Sequence, residues 1–220
     1  KHKNDIFYNN FMNSPLKEFC FENKLECGVD EAGRGPFLGR IYAGAVIWPR
    51  ELNDEIQEML TDSKKLTAEK RNFLRNYIEN NAIDWSVSYV EPWDIDKIGI
   101  NPSNQLVMCN AINGLKTQVD MILIDGNRFN FYVDKNGRSV SHKCIIKGDS
   151  KYYSIAAASI LAKVYHDEYI KSLIEEIPML DIIYDLGNNM GYGTKKHIEG
   201  LLQYGSTKWH RQTFCKKYII

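Results

Sequence analysis

Two adjacent carboxylates, Asp30 and Glu31, stand in the stretch GVDEAGRGP at residues 28–36, directly after an apolar lead-in of Leu25, Cys27 and Val29. Two further acids also sit at element ends. Asp125 closes MILID at 121–125, and Asp149 lies in KGDS at 147–150. Carboxylates brought to one point repel each other, and one loses its charge unless a cation lies between them. Oxygen donors of this kind suit Mg²⁺ or Mn²⁺, hard ions that take one or two carboxylates and fill their shells with water and phosphate oxygens. Two such ions stabilise both the attacking and the leaving oxygen of an in-line phosphoryl displacement. Each acid alone reads as a turn cap or a lysine partner. The four together, with glycine neighbours, point to a metal site.

Gly33, Arg34 and Gly35 follow the acids at once. The glycines either supply positive φ for a tight turn or let backbone amides approach a sugar-phosphate chain, with Arg34 solvated or holding a phosphate. Neither GRGP nor GYGTKK matches the GxxxxGK[ST] phosphate loop. Lys64, Lys65, Lys147 and Lys163 are scattered along the chain. They are surface lysines unless the fold converges them on the acids, where they would neutralise phosphates on either side of a cut. Tyr192, flanked by glycines in MGYGT, is better placed to stack on a ligand than to pack a core. The histidines show no pair in sequence that would support metal-independent acid–base chemistry. His197, in the first turn of a predicted helix, is the one to weigh, with a surface position expected. There is no GxSxG elbow and no cysteine in a nucleophile setting.

The elements that must hold these residues can be read from periodicity. Strands are predicted over Leu25–Asp30, Arg40–Trp48 and Trp85–Val90, the first two as a hairpin around the glycine turn. Thr67 caps a helix whose inner face carries Phe73, Leu74, Tyr77 and Ile78, and a second helix covers roughly Ser103–Lys116. Met121–Ile124 is a buried strand, and an acid at its carboxyl end stands where open α/β sheets present their sites. A hairpin around DKNG follows, then the alanine-rich helix YSIAAASILAKVYHDEYIKSLIEEI. Last comes a helix capped by Thr194 with Ile198, Leu201 and Leu202 on one face. The sum is a mixed sheet flanked by helices, with residues 1–24 an arm and 25–220 one domain.

The chain has 220 residues with 44% hydrophobic and 25% charged, room for one sizeable domain. No apolar run fits a membrane span, and the first residues lack the apolar core of a signal peptide. Five cysteines without CxxC spacing argue for reduced thiols and a cytoplasmic location. Net charge is zero, yet residues 190–220 hold six Lys/Arg against one acid, a local +5. Such a run is either a solvated face or a track for a polyanion.

Six blocks, GVDEAGRGP, DSKKL, ILIDGN, KGDSKYYSIAAASILAKVYHDEY, GYGTKKHI and HRQTF, resemble in this order the signature blocks of ribonuclease HII, over about Cys27–Phe214. The resemblance implies a ribonuclease H-like fold with a five-stranded mixed sheet, a C-terminal helical segment, and Asp30, Glu31, Asp125 and Asp149 as metal ligands for Mg²⁺ or Mn²⁺. It also implies that Gly33, Arg34 and Gly35 read a ribose 2′-OH through their backbone, that Tyr192 senses an RNA-to-DNA junction, and that Asp167 supports the metal site. Lys64 and Lys147 would contact the substrate. The implied activity is endonucleolytic cleavage of the RNA strand of RNA/DNA hybrids and 5′ of ribonucleotides embedded in duplex DNA, by a monomer, leaving 3′-OH and 5′-phosphate ends. Phe37, Arg40 and Tyr42 are bulkier than the family pattern, and Met190 and His166 replace basic residues. Only 26 residues precede Cys27, which favours type HII over type HIII with its added N-terminal domain.

Overall fold

The structure, a computed structural model, describes residues 16–51 and 55–219. Its centre is a sheet in the order β3-β2-β1-β4-β6-β5. These strands are β1 (Glu26–Ala32), β2 (Ile41–Ile47), β3 (Asp84–Val90), β4 (Met121–Asp125), β5 (Tyr132–Val133) and β6 (Ser139–Ile145). The β1–β2 and β2–β3 pairs are antiparallel, β1–β4 and β4–β6 parallel, and β5–β6 antiparallel. The sheet has six strands where five are expected from the family resemblance. The sixth is β5, a two-residue outer arm of the DKNG hairpin. β2 is buried along its whole length and β4 at all but its last residue, as strands covered on both faces must be.

The helices are α1 (Ala68–Asn81), α2 (Pro92–Ile98), α3 (Ile100–Asn113), α4 (Tyr153–Glu176), α5 (Met179–Tyr184), α6 (Leu186–Asn189), α7 (Lys195–Tyr204) and α8 (Gln212–Cys215). The alanine-rich face of α4 lies directly on β1 and β2. A Cβ on Gly28 would fall 2.2 Å from the Ser154 carbonyl carbon, and one on Gly44 2.6 Å from the Ala158 oxygen. Glycine on the strands and alanine on the helix let the backbones approach this closely. On the other face, Val107, Met108, Ala111 and Ile112 of α3 pack with Val29, Ile122 and Ile124.

Thr67 and Thr194 accept hydrogen bonds from Lys70 N (3.3 Å) and His197 N (3.4 Å), the caps expected from sequence. Two predicted inner faces are corrected. Phe73 is 51% exposed, because α1 buries only the narrower stripe Leu74, Tyr77 and Ile78. Leu202 is 59% exposed, because α7 turns His197, Gly200 and Leu201 inward, where Gly200 lets the helix press on the Ile183 carbonyl. The C-terminal segment forms its own cluster of Leu38, Ile170, Leu173, Leu180, Tyr184 and Leu201. Of the N-terminal arm, residues 1–15 lie outside the described residues, while Lys17 is tied to the body by backbone bonds to Lys151 and Tyr153. The five cysteines form no disulfide, and among the described residues no helix is long and apolar enough to cross a membrane.

Candidate active site

Strand register brings the acids together. Val29 pairs with Ile124 in the parallel β1–β4 ladder, so one residue further on Asp30 stands beside Asp125 at the carboxyl ends of both strands. Side chains alternate along a strand. Asp30 therefore shares the α4 side with Gly28, near Ser159, and Glu31 turns to the α3 side, near Asn104. Asp30 also accepts the Glu31 N–H at 2.7 Å, and Asp125 accepts the Gly148 N–H at 2.6 Å. That second bond fixes the helical turn Gly148–Ser150, on which Asp149 is buried.

The electrostatics follow from this packing. Burial holds the Asp30 carboxyl well above the usual carboxylate range, and the charges of Glu31 and Asp125 add to it. Glu31 is raised by burial and by Asp125, with Arg34 opposing. Asp149 is pushed up to about 6 by burial, then by Asp62 and Asp125. Asp125 is thus the charge that the other three acids share. Asp62, in the DSKKL block, is an acid that sequence reasoning passed over, since its place as the cap of the turn Ser63–Lys65 looks purely structural.

The glycine loop lies beside the acids. Gly33 has φ of +84°, and a Cβ there would strike the His166 ring at 2.5 Å, so both conformation and space demand glycine. The Arg34 guanidinium donates to Asn101 Oδ1 at 2.8 Å. Across the loop is Tyr192, 41% exposed, its ring 3.4 Å from where a Gly35 Cβ would be. Lys64 reaches this group, because its charge acts on Glu31, Asp149 and Tyr192 alike. Lys147 is exposed and left-handed at φ 55°, and only its backbone is tied to the Asp149 turn. Lys163 and Lys65 do not join the acids as free cations: Lys163 Nζ pairs with Asp167 at 2.7 Å, and Lys65 is an exposed turn residue.

Asp167 lies between two cations, Lys163 and Arg71 Nη2 at 3.5 Å, and the buried His166 ring, whose Nδ1 is 3.0 Å away. Burial pushes its carboxyl up, but His166 and Lys163 outweigh this and hold it below the usual range. The expected surface position of His197 is overturned, and so is the expectation of no histidine pair. His197 is fully buried, and its Nε2 lies 3.1 Å from that of His210. Both rings are sealed from solvent, so the pair is not placed for acid–base chemistry on a substrate. Arg211, also fully buried, was visible in sequence only as part of HRQTF. Its acceptors are backbone carbonyls more than 170 residues away, which leave no mark in sequence.

Among the described residues no three His, Cys, Asp or Glu side chains converge closely enough to cage an ion alone. Mg²⁺ and Mn²⁺ do not require such a cage, because one or two carboxylates suffice and water and phosphate complete the shell. The donor set is all oxygen, and three of its members are held above their usual pKa by burial and one another's charge. Those residues fit a hard divalent cation.

The ribonuclease HII family model matches residues 27–218. The chain belongs to the ribonuclease HII family. Membership makes it a metal-dependent ribonuclease H, an endonuclease that hydrolyses phosphodiester bonds and acts on RNA/DNA. A ribonuclease HII of Bacteroides thetaiotaomicron is 47% identical over 199 residues, covering 90% of this chain and 94% of the relative. The crystal structure of ribonuclease H2 from Pyrococcus horikoshii superposes with a TM-score of 0.71 at 27% identity, covering 88% of this chain and 96% of that one. A ribonuclease HIII structure in complex with Mn²⁺ shares the fold at a TM-score of 0.61 and 19% identity, over 88% of this chain and 68% of its own.

Proposed function

We propose that this chain cuts the RNA strand of RNA/DNA hybrids, and the bond 5′ of a ribonucleotide embedded in duplex DNA, leaving 3′-OH and 5′-phosphate ends. Asp30, Glu31, Asp125 and Asp149 would hold two divalent ions, Mg²⁺ or Mn²⁺. When bound, such ions supply positive charge to the attacking and leaving oxygens of the displacement. The chain's own part is to hold these carboxylates at one sheet end and to place the scissile phosphate against them. The observation that carries the reading is Asp30 beside Asp125 at the ends of two parallel strands, with the Asp125 charge also acting on Glu31 and Asp149.

Backbone groups of Gly33, Arg34 and Gly35 would meet the ribose 2′-OH, the one sugar feature that tells RNA from DNA at a position. The Tyr192 ring, in contact distance of that loop, would lie on the neighbouring deoxyribose, whose face carries no hydroxyl. Arg34, Lys64 and Lys147 would neutralise flanking phosphates, and Asp167 would organise the cations around it. The five unpaired thiols support action in the reducing cytoplasm, and we assign the working unit as a monomer.

The test is cleavage of RNA/DNA hybrid with Mg²⁺, with Mn²⁺ and with excess chelator. Activity that needs the ion and returns when it is restored supports the reading. Cleavage in chelator giving cyclic phosphate products overturns it.

A further inference from the structure

The contacts at the two ends of the His197–His210 pair fix its tautomers. Thr207 N–H donates to His210 Nδ1 at 2.9 Å, so that nitrogen bears the lone pair and neutral His210 carries its hydrogen on Nε2. His210 Nε2–H then donates to His197 Nε2 at 3.1 Å. This leaves the His197 hydrogen on Nδ1, which donates to the Tyr192 carbonyl at 3.0 Å. One unbroken direction of donation runs from Thr207 to Tyr192. The rings of Phe37 and Tyr184 wall the relay at 4.6–5.8 Å between centroids.

The next residue reaches the opposite way. The Arg211 guanidinium donates to the carbonyls of Gly33 (2.6 Å), Gly39 (2.9 Å), Arg40 (3.0 Å) and Arg34 (3.1 Å). A buried cation is costly, and these four acceptors hold it as donor to the loop backbone. The backbone ties both sides together as well: Arg211 N donates to Phe37 O at 2.7 Å, and Phe37 N to Gly191 O at 2.8 Å.

We propose that His197 and Arg211 act together as a positioning element that sets the distance between the Gly33–Gly35 loop and Tyr192, Arg211 through the loop carbonyls and His197 through its Nδ1–H bond to the Tyr192 carbonyl, with His210 setting the His197 tautomer. The inference rests on the reading of that loop and Tyr192 as the sugar-reading elements. If they contact successive sugars, their separation must match one nucleotide step. A misplacement of about 1 Å in such a constellation is enough to cost much of the rate.

Two substitutions at His197 separate positioning from packing. In His197→Asn the amide nitrogen replaces Nδ1–H and still donates to the Tyr192 carbonyl. In His197→Gln the amide takes the place of Nε2 and leaves that carbonyl behind. The readout is kcat/KM on a duplex with one ribonucleotide divided by kcat/KM on a continuous hybrid, with Tm measured beside it and Tyr192→Ala as reference. A lost buried hydrogen bond is worth about tenfold. His197→Gln should lower the ratio by about that factor, toward Tyr192→Ala, while His197→Asn keeps it within about threefold at a similar Tm. If Tyr192→Ala lowers the ratio and the two His197 variants do not differ, the positioning role is overturned. If Tyr192→Ala itself leaves the ratio unchanged, the underlying reading of Tyr192 fails instead. For the other arm, Arg211→Lys offers a point cation in place of a planar fork and should lower the same kcat/KM ratio by about tenfold at a similar Tm; an unchanged ratio contradicts it. In ligand-free wild-type protein, ring ¹⁵N NMR should show His197 protonated on Nδ1 and His210 on Nε2. The opposite tautomers would overturn the relay without any activity measurement.

Discussion

Asp30 stands beside Asp125 because β1 and β4 run parallel, and their ladder ends with Val29 opposite Ile124, one residue before each acid. Burial raises the Asp30 carboxyl, and the neighbouring charges raise it further. Such an arrangement costs stability in the metal-free protein, a cost that a bound cation would offset.

Asp125→Asn tests that relationship directly. The amide oxygen can still accept the Gly148 N–H, so the fold is kept while the shared charge is lost. Cleavage should fall ~10³-fold or more, ~4 kcal/mol of transition-state stabilisation, in scale with removing a key electrostatic group. Without metal the variant should melt higher than wild type, and its Tm gain on adding Mn²⁺ should shrink. A rate within tenfold of wild type, or an undiminished Mn²⁺-induced gain, would mean that Asp125 does not hold the ion.

The basic C-terminal stretch allows a second measurement. Lys195 is 92% exposed, while Lys196 Nζ already pairs with Asp185 at 2.8 Å. Replacing both with Gln should weaken binding to every duplex alike and flatten the salt dependence by roughly one unit per lost phosphate contact. An unchanged slope would return both lysines to a solvated face.

What sequence could and could not disclose follows from where the signals lie. Asp30, Glu31 and Asp125 were legible because an apolar run ending in an acid is a one-dimensional pattern. The caps at Thr67 and Thr194 were legible for the same reason. The tilt of α7 was not, since Gly200 faces inward only because α5 lies beneath it. Nor was the histidine pair, because His197 and His210 are 13 residues apart and meet only after α7 and its following turn fold back.

Tyr192 supplies a third test. Tyr192→Ala should cost about tenfold or more on a single embedded ribonucleotide and less on a continuous RNA strand, where the junction contact is already imperfect. Tyr192→Phe should keep most activity on both, since stacking survives loss of the phenol oxygen. Equal proportional losses on both substrates would make the ring general scaffolding.

The histidine relay also predicts acid sensitivity. Burial lowers His197 to about 4 and His210, with the charge of its partner added, to about 3, both from an ordinary 6.5. The unfolded chain therefore binds more protons between these values, and the contribution to stability is full above pH 6.5 and lost as pH falls toward 4. Melting curves from pH 7.5 to 4.5 should show a steeper fall in wild type than in His197→Asn/His210→Gln, a paired substitution without titrating rings. Parallel pH profiles would mean that the rings do not titrate with unfolding.

The most direct test of the central claim is cleavage of a duplex bearing one ribonucleotide, with Mg²⁺ present and both product ends mapped at nucleotide resolution. The account predicts a single cut on the 5′ side of the ribonucleotide, a 3′-OH on one fragment and a 5′-phosphate on the other. A cut on the 3′ side leaving a 2′,3′-cyclic phosphate would mean that the 2′-OH is the nucleophile, and the metal-site account would be contradicted.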